Sequence, residues 1–433
     1  MQKKAIYIIG AGPLAIKTFS WTKELGLLTI VTDQNPDAPG ILHADFHAQL
    51  SAADQSGSHE KFIASLPSNI TICGVYCGNE IGAPLANQLR QHLGLPYASP
   101  ESILTAADKV LMKGAWLEKG IHTPPCTVMK NINDINRSIT GKDETFIIKP
   151  SLGSGSRGVQ AIHDGDDLEK IWQAALEPVD FEGSVLLEPY IEGRSIDANG
   201  VFFKNKYYPA GTLEKYITDF PECLPLGGND PADIPTNTSN EVHRLMEHAC
   251  RAINLTEGPV KGDFILSNDG TVYVLEVAPR LHGDVTTCNT LPFGSGCNAL
   301  KFMFKCWTEN FADEDLLNQD CSGYALWWVL CLPPGLSYHQ HFANQLEEDN
   351  GTTVVWFNHK HDENVHSYSS TREIPGYICA YGNNKTEAEK NMARTLDKLI
   401  PSLPSYCTNQ WYKNLGLTLQ RFGISPQSCG YKC

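Results

Sequence analysis

Residues 261–280, KGDFILSNDGTVYVLEVAPR, contain two apolar runs that meet at an Asp-Gly pair. Such a pair between apolar runs is a strong signal for a β-hairpin with a type I′ turn, because this turn needs positive φ at both central residues. Folding the chain at Asp269 and Gly270 pairs Leu266 with Tyr273. The segment therefore predicts two antiparallel strands with a fixed register.

The same register places two acids, Asp263 and Glu276, opposite each other. Like charges that face each other across two strands are destabilising, by roughly 4 kcal/mol at about 4 Å and an effective dielectric constant of about 20. A shared proton, a basic neighbour or a bound divalent cation would offset the repulsion, and Mg²⁺ prefers such oxygen ligands. Lys261 and Arg280 fall on the same face at a period of two, so a structural acid–base cluster remains the alternative to a metal site.

The bulk composition is that of an ordinary globular protein. The chain has 433 residues, of which 42% are hydrophobic and 19% charged, which predicts two or three domains. A net charge of −15 argues against binding to nucleic acid or to anionic membranes. No apolar run approaches the ~18 residues that span a bilayer, and we expect a cytoplasmic protein. The 14 scattered cysteines lack zinc-site spacing and predict reduced, mostly buried thiols.

The order of strand and helix patterns predicts an α/β and α+β multidomain fold. The first hundred residues alternate strand and helix signals, which is typical of a doubly wound parallel sheet. Residues 221–240 are rich in turn formers and predict a long mobile loop. After residue 310 the strand patterns become antiparallel. We therefore predict a Rossmann-like domain over 1–105, a second domain over 106–310 and a small α+β domain over 311–433.

Residues 146–159, FIIKPSLGSGSRGV, read as a strand, a lysine and a Gly/Ser loop. Glycines let backbone N–H groups turn toward an anion, and Ser154 and Ser156 add hydroxyl donors. Lys149 and Arg157 bring positive charge. The P-loop pattern is absent. The loop predicts a phosphate site, with a plain hairpin as the alternative.

Residues 185–193, VLLEPYIEG, read as a buried strand that ends in an acid. Beyond Glu188, free backbone groups near Tyr190 and Ile191 could receive the edge of an adenine. An interdomain hinge explains this segment equally well.

Together these segments resemble the ATP-grasp superfamily of carboxylate–amine ligases over roughly residues 5–310. The family's "DK…MK…G…TP" run corresponds to ADKVLMKGAWLEKGIHTPP and points to Lys109. Its second lysine, before a glycine-rich lid, corresponds to Lys149, and its "E-x-Y-I-x-G" hinge begins at Glu188. Its paired magnesium carboxylates correspond to Asp263 and Glu276. Each motif alone is weak, but four in the family's order are specific.

Two positions depart from the family's commoner pattern. Ala278 stands where many relatives have an asparagine that binds metal. In this respect EVAPRLHGD is similar to carboxyaminoimidazole ribonucleotide synthase, to formate-dependent glycinamide ribonucleotide transformylase and to some L-amino-acid ligases. Ser195 stands where relatives often have the glutamate that holds the ribose, and Asp197 is expected to replace it.

The resemblance implies an ATP-dependent, ADP-forming ligase that activates a carboxylate as an acyl phosphate and couples it to an amine, with an amino acid or another small metabolite as the expected substrate. The implied cofactors are ATP and Mg²⁺, with Mn²⁺ as an alternative ion. The implied partners are small-molecule acids and amines, and a homodimer is the family's default assembly. The residues expected to bind nucleotide are Lys109, Lys149, Ser154, Gly155, Ser156, Arg157, Gly158, Glu188, Tyr190, Ile191 and Asp197. Asp263 and Glu276 would hold the metal, while Arg280, Lys261 and His282 would anchor the substrate carboxylate.

Two other functions remain open at this point. GAGPLA at residues 10–15, followed by Asp33 at the end of the next strand, resembles a dinucleotide-binding fingerprint and would suit an NAD(P)-dependent oxidoreductase. That function gives the acid-bearing hairpin no purpose. A nucleotide-binding protein without turnover is the third hypothesis, motivated by Ala278 and Ser195.

Overall fold

A computed structural model describes residues 2–179, 184–221, 223–317, 323–330, 332, 334, 353–357, 365–368, 371–399 and 409–424. Among these residues, no helix combines the length and the apolar character needed to cross a membrane. Nine described cysteines are free, and six of them are buried, in line with the predicted reduced thiols. The cysteines at 429 and 433 lie outside the described residues.

The N-terminal segment forms a four-stranded sheet in the order β3-β2-β1-β4, in which every pair is parallel. This arrangement confirms the predicted parallel sheet, although β3 had no clear signal in the sequence. The elements are β1 (Lys3–Ile9), α1 (Ile16–Glu24), β2 (Leu28–Asp33), β3 (Phe46–Gln49), α2 (Ser58–Ser65), β4 (Ile70–Cys77) and α3 (Ala83–His92).

A second, antiparallel sheet has the order β5-β8-β6-β7. Its apolar face packs against α6 and α7 through Ile135, Ile148 and Trp172. The elements of this part are α4 (Pro100–Ala107), α5 (Lys109–Glu118), β5 (Thr127–Met129), α6 (Ile132–Ile139), β6 (Phe146–Pro150), β7 (Gln160–Ile162), α7 (Leu168–Leu176) and β8 (Val185–Pro189).

The largest sheet has eight strands in the order β13-β12-β9-β10-β11-β14-β16-β15. Trp116 of α5 and Phe264 of β12 are fully buried in the core beneath it. Its strands and the helices between them are β9 (Gly193–Phe203), β10 (Lys206–Ile217), β11 (Pro225–Asp230), α8 (Thr236–Ala252), β12 (Gly258–Ser267), β13 (Val272–Ala278), α9 (Leu291–Gly294), α10 (Ala299–Glu309), β14 (Tyr324–Val329), β15 (Thr353–Phe357) and β16 (Gly376–Gly382). Two helices follow, α11 (Lys385–Leu399) and α12 (Asn409–Arg421).

The predicted boundary near residue 310 does not separate two sheets. The antiparallel strands expected after it are present as β14, β15 and β16, and β14 pairs with β11 of the preceding region. Residues on both sides of the boundary therefore share one continuous sheet.

The prediction of a long mobile loop over residues 221–240 is wrong. Residues 225–230 form β11, and α8 begins at Thr236. Two glycines of β11, Gly227 and Gly228, face Trp328 and Trp327 of β14. A Cβ atom at Gly228 would lie only 2.6 Å from Trp327 Nε1, so glycine serves here for close packing rather than for a turn.

The hairpin forms at the predicted place, but its turn differs. Gly270 has a φ of +87°, whereas Asp269 is not among the residues with positive φ, so the predicted type I′ turn is wrong. The Ser267 N–H donates to Thr271 O at 2.9 Å, and the Gly270 N–H donates to Ser267 O at 2.9 Å. This is a three-residue loop with glycine in the left-handed position.

The longer loop shifts the register near the turn. Leu266 pairs with Val272 rather than with Tyr273, and a β-bulge between Asp263 and Phe264 then restores the alignment. As a result Asp263 pairs with Glu276, and this part of the predicted register is confirmed.

Candidate active site

A cleft of about 220 Å³ lies between the antiparallel four-stranded sheet, β5-β8-β6-β7, and the eight-stranded sheet. It brings together most of the residues that the sequence motifs single out, from α5, the loop after β6, β8 and the β12–β13 hairpin. The predicted residues that line it are Lys109, Lys149, Ser154, Gly155, Ser156, Arg157, Glu188, Tyr190, Ile191, Asp263 and Glu276.

The Gly/Ser loop between β6 and β7 covers one side of the cleft. Gly153 and Gly155 have φ values of +114° and +71°, which other residues rarely adopt. Lys109 Nζ donates to Gly153 O at 3.1 Å, and the Thr371 N–H donates to Gly155 O at 3.3 Å. Gly158 is absent from the cleft lining, because it packs against α7, where a Cβ atom would meet Ala174 O at 2.7 Å. The loop is thus in contact with both α5 and the C-terminal segment.

Asp108 sets the position of Lys109. The Asp108 side chain accepts a hydrogen bond from the Val110 N–H at 2.8 Å and caps α5, as N-terminal aspartates commonly do. Lys109 therefore begins the helix and reaches Glu276 Oε2 at 3.4 Å.

A second, buried lysine of the DK…MK run, to which the sequence analysis gave no role, lies one helical turn further on. Lys113 Nζ lies 3.0 Å from Glu188 Oε1, and Lys149 Nζ lies 2.7 Å from the same atom. Lys113 also donates to Thr123 Oγ1 at 2.8 Å and to Pro124 O at 3.0 Å. Burial, with the nearby Lys149 charge, lowers the pKa of Lys113 to about 8. Its spacing of four from Lys109 was the available signal, because such residues share a helix face.

Part of the cleft lining is apolar. The Tyr190 ring meets the Phe220 ring edge-to-face, with centroids 5.0 Å apart. The Tyr190 N–H donates to Thr145 O at 2.9 Å, so this particular group is engaged within the protein. The apolar lining consists of Pro124, Ile147, Val159, Ile191, Ile217, Ile265 and Leu275. Such a surface suits a flat aromatic group.

Lysines surround the two facing carboxylates. Lys261 Nζ lies 2.7 Å from Asp263 Oδ1, and Lys215 Nζ lies 3.6 Å from it. Burial alone would raise the pKa of Asp263, but Lys215 and Lys261 lower it well below its usual range. Basic neighbours therefore provide one of the predicted means of offsetting the repulsion.

The donor set also suits magnesium. The Asp263 and Glu276 side chains are 15% and 28% exposed and line the same cleft. Within the described ranges, no group of three or more His, Cys, Asp or Glu side chains could form a closed metal site. Magnesium commonly takes one or two carboxylates and completes its shell with phosphate oxygens and water.

Asp197 lies in a different place from the one predicted. It is fully buried and does not line the cleft, and its carboxylate pairs with Lys215 Nζ at 2.9 Å and with His282 Nε2 at 2.9 Å. Two partners and complete burial leave no surface for a ribose, so that expectation is corrected. Ser195, two residues earlier on β9, lines the cleft instead.

Lys215 is a lysine that no motif singled out. It lines the cleft from β10 and bridges Asp197 and Asp263. Burial would lower its pKa, but those two acids raise it above its usual value. Its partners lie on other strands, so the local sequence carried no signal.

The three residues expected to hold the substrate carboxylate do not line the cleft. His282 has both ring nitrogens engaged, because Nδ1 also lies 2.7 Å from Thr286 Oγ1. It supports Asp197, and its expected contact with the substrate carboxylate stays a prediction. Lys261 Nζ is held by Asp263 at 2.7 Å, where it compensates charge, and its role as an anchor for the substrate carboxylate stays a prediction. Arg280 Nη2 lies 3.0 Å from Glu80 Oε2 of the N-terminal segment.

The N-terminal Gly-rich turn is closed by Asp33. Its Oδ2 accepts the Ala11 N–H at 2.8 Å, and its Oδ1 accepts the Asn35 N–H at 2.8 Å. In a dinucleotide site the loop N–H groups face the pyrophosphate and the acid binds ribose hydroxyls. Both carboxylate oxygens of Asp33 accept hydrogen bonds from the protein's own backbone. This geometry disfavours the oxidoreductase hypothesis, because the acid is not free to bind a ribose.

Comparison with known proteins agrees with this geometry. The family model of the ATP-grasp domain matches residues 106–284. The D-alanine–D-alanine ligase of Bordetella avium is 25% identical over 199 residues, which are 43% of this chain and 60% of that protein. The chain thus spans about three fifths of the length of this curated relative.

Solved structures match over most of the chain. The L-amino acid ligase of Bacillus licheniformis has a TM-score of 0.74 at 16% identity, covering 92% of this chain and 98% of that one. The carboxyaminoimidazole ribonucleotide synthase of Aspergillus clavatus, solved with ATP, has a TM-score of 0.70 at 14% identity with the same coverage. The resemblance predicted from the motifs is confirmed. Residues 106–284 match the ATP-grasp domain, and the chain shares its fold with the solved L-amino acid ligase over 92% of its length.

Proposed function

We propose that the protein is an ATP-dependent, ADP-forming ligase that joins a substrate carboxylate to an amine, and that it acts on small molecules in the cytoplasm. The observation that carries the proposal is the pair of facing carboxylates, Asp263 and Glu276, in the same cleft as the Gly/Ser loop. The two lysines expected to bind phosphate, Lys109 and Lys149, line that cleft as well.

The nucleotide would lie along the cleft. Its adenine would occupy the apolar part near Tyr190 and Ile191, with Ser195 rather than Asp197 available for the ribose. Lys109, Lys149 and the hydroxyl and N–H groups of the Gly/Ser loop would bind the phosphates, since they combine positive charge with hydrogen-bond donors.

Asp263 and Glu276 would hold Mg²⁺, or Mn²⁺ in its place. The bound ion would neutralise charge on the transferring phosphoryl group. Lys215 and Lys261 lower the pKa of Asp263 and so keep this carboxylate ionised near neutral pH, which is the state a metal requires.

The reaction would proceed in two steps, formation of an acyl phosphate and its attack by the amine. A carboxylate oxygen of the acid attacks the γ-phosphorus, the bond to the β–γ bridging oxygen breaks, and ADP leaves. The amine nitrogen then attacks the acyl carbon, inorganic phosphate leaves with the former carboxylate oxygen, and the nitrogen loses a proton. Closure of the Gly/Ser loop would keep water from the acyl phosphate. Arg280 would orient the carboxylate through its planar guanidinium.

Release of ADP tests this function directly. We expect Mg²⁺-dependent ADP release from ATP when panels of acids and amines are offered, with the product identified by mass. Asp263→Asn and Glu276→Gln should each lower the rate by about 100-fold or more, because several kcal/mol of charge stabilisation is lost. Asp269→Asn is the matched control, since this acid lies exposed at the turn of the same hairpin. Nucleotide binding without ADP release from any pair would contradict the proposal and indicate a protein without turnover.

A further inference from the structure

Glu80 is an acid of the N-terminal segment that the function described so far leaves without a role. It lies in the loop directly after β4, at the carboxyl end of a parallel strand. Ligands of open α/β sheets bind at this edge. The Glu80 Oε2 atom lies 3.0 Å from Arg280 Nη2, the side chain expected to orient the substrate carboxylate.

Glu80 also lies close to the lysines of the phosphate and metal site. Burial would raise its pKa, but Arg280, Lys261 and Lys109 lower it. Its carboxylate is therefore negatively charged at neutral pH, and the N-terminal segment contributes it to this cluster of acids and bases.

The ion pair leaves donor and acceptor capacity unused. Arg280 Nη1 donates to Leu281 O at 2.9 Å, while Arg280 Nε is buried and has no hydrogen-bond partner among the described residues. The Glu80 side chain is 34% exposed, and a carboxylate can accept several hydrogen bonds. A ligand that carries both charges could therefore engage both side chains at once.

We propose that Glu80 binds an ammonium group of the acid substrate, beside the carboxylate that Arg280 orients, so that the acid is a zwitterionic amino acid. This inference rests on the proposed ligase function. A zwitterion presents its anion to Arg280 and its cation to Glu80, and so reproduces the charge pattern of the existing ion pair. An acid without an amine would instead place its carboxylate next to Glu80, where like charges repel.

A site that binds a charged group discriminates against an analogue that lacks this group, because the protein side chain is then left without its partner. Because Glu80 is partly exposed, we expect a moderate preference of about 100-fold rather than the largest values known. The competing explanation is that Glu80 and Arg280 only fasten the N-terminal segment to the rest of the chain. Glu24 and Lys301 make a comparable ion pair, 2.7 Å long, between the same two parts and away from the cleft.

The experiment compares each amino acid with the acid of the same skeleton that lacks the amine, such as alanine with propionate and valine with isovalerate. ADP release is measured at a fixed concentration of one amine acceptor, for the wild type, Glu80→Gln, Glu80→Asp and Glu24→Gln. We expect the ratio of kcat/KM values to be about 100 in the wild type and below about 10 in Glu80→Gln. Glu80→Asp should restore part of the preference, and Glu24→Gln should leave the ratio unchanged.

Equal use of both acids by the wild type, or an equal slowing of both by Glu80→Gln, would overturn the inference while ADP release still upheld the ligase function. Calorimetric binding of the same acids without ATP tests the inference separately from turnover. Tighter binding of the amino acid that is lost in Glu80→Gln supports it, and equal affinities overturn it. Thermal unfolding of each variant identifies a change caused by loss of the fold.

Discussion

Glu188 illustrates how single side chains determine the chemistry of the cleft. One of its oxygens lies within 3.0 Å of both Lys113 and Lys149. Lys113 is completely buried, and a buried cation is tolerated only when its donors are all used. Thr123 and Pro124 take the remaining hydrogen bonds. Lys113 thus fixes the acid against which Lys149, a predicted phosphate ligand, is positioned.

Replacing Lys113 by methionine should lower the free energy of unfolding by about 3 kcal/mol, because Glu188 loses a buried ion-pair partner and two oxygens lose their donor. Urea denaturation at pH 7 measures the change. Lys119→Met is the matched control, at the residue that follows the last residue of the same helix. Lys119 is exposed and donates only to Ala252 O, so its loss should cost less than about 1 kcal/mol. Equal effects of the two variants would contradict this role of Lys113.

His243 makes stability depend on pH. It is buried and lies 2.8 Å from the Tyr207 hydroxyl through Nδ1, and burial lowers its pKa to about 4. Between pH 4 and about 6.5 the unfolded chain binds a proton that the folded chain does not, so the free energy of unfolding rises with pH there, by up to about 3 kcal/mol from this group.

Urea denaturation of His243→Gln across the same pH range should lack this part of the slope. His248→Gln, at an exposed position of the same helix, should retain it. A wild-type slope that persists in His243→Gln would assign the pH dependence to other groups.

Site residues that belong to contiguous motifs could be predicted from sequence, as Lys109, Lys149 and Glu188 illustrate. Lys215 and Glu80 could not, because their partners lie on strands or loops far away in the chain. The burial of Asp197 escaped prediction for the same reason, since it depends on Lys215 and His282. The pairing of Asp263 with Glu276 could be predicted only because the two acids lie on the two strands of one hairpin, close together in sequence.

At the level of elements, β11 shows where local signals mislead. Its sequence, PLGGND, contains only turn formers apart from one leucine, and it still pairs on both sides. The two tryptophans of β14 occupy the space above its glycines. Packing across the sheet therefore outweighs the local preference.

Gly228→Ala should lower the free energy of unfolding by about 1–3 kcal/mol, because the added methyl group would lie 2.3 Å from Glu214 O and 2.6 Å from Trp327 Nε1. Gly114→Ala is the matched control. Gly114 lies within α5 with no atom near its missing methyl group, so alanine should stabilise the helix by about 0.5–1 kcal/mol. Thermal and urea unfolding measure both changes, and the opposite signs distinguish close packing from a general effect of losing glycine.

For the whole molecule, the sequence was sufficient to predict the order of the segments and the ATP-grasp fold that the comparisons show. It did not reveal that the C-terminal strands extend the central sheet. Such pairing joins residues about a hundred positions apart, as Gly228 and Trp327 are. Alternating strand patterns indicate a buried face but do not select the partner strand.

The shared sheet limits how this protein can be recombined with its relatives. A chimera joined near residue 310 would have its exchange point between β11 and β14. The side chains of the other parent would then replace Trp328 and Trp327 and would have to fit against Gly227 and Gly228. Parental segments that carry both strands together would keep this fit intact. Chimeras between this protein and proteins of the same fold should therefore fold more often when the crossover lies before β9 than when it follows α10.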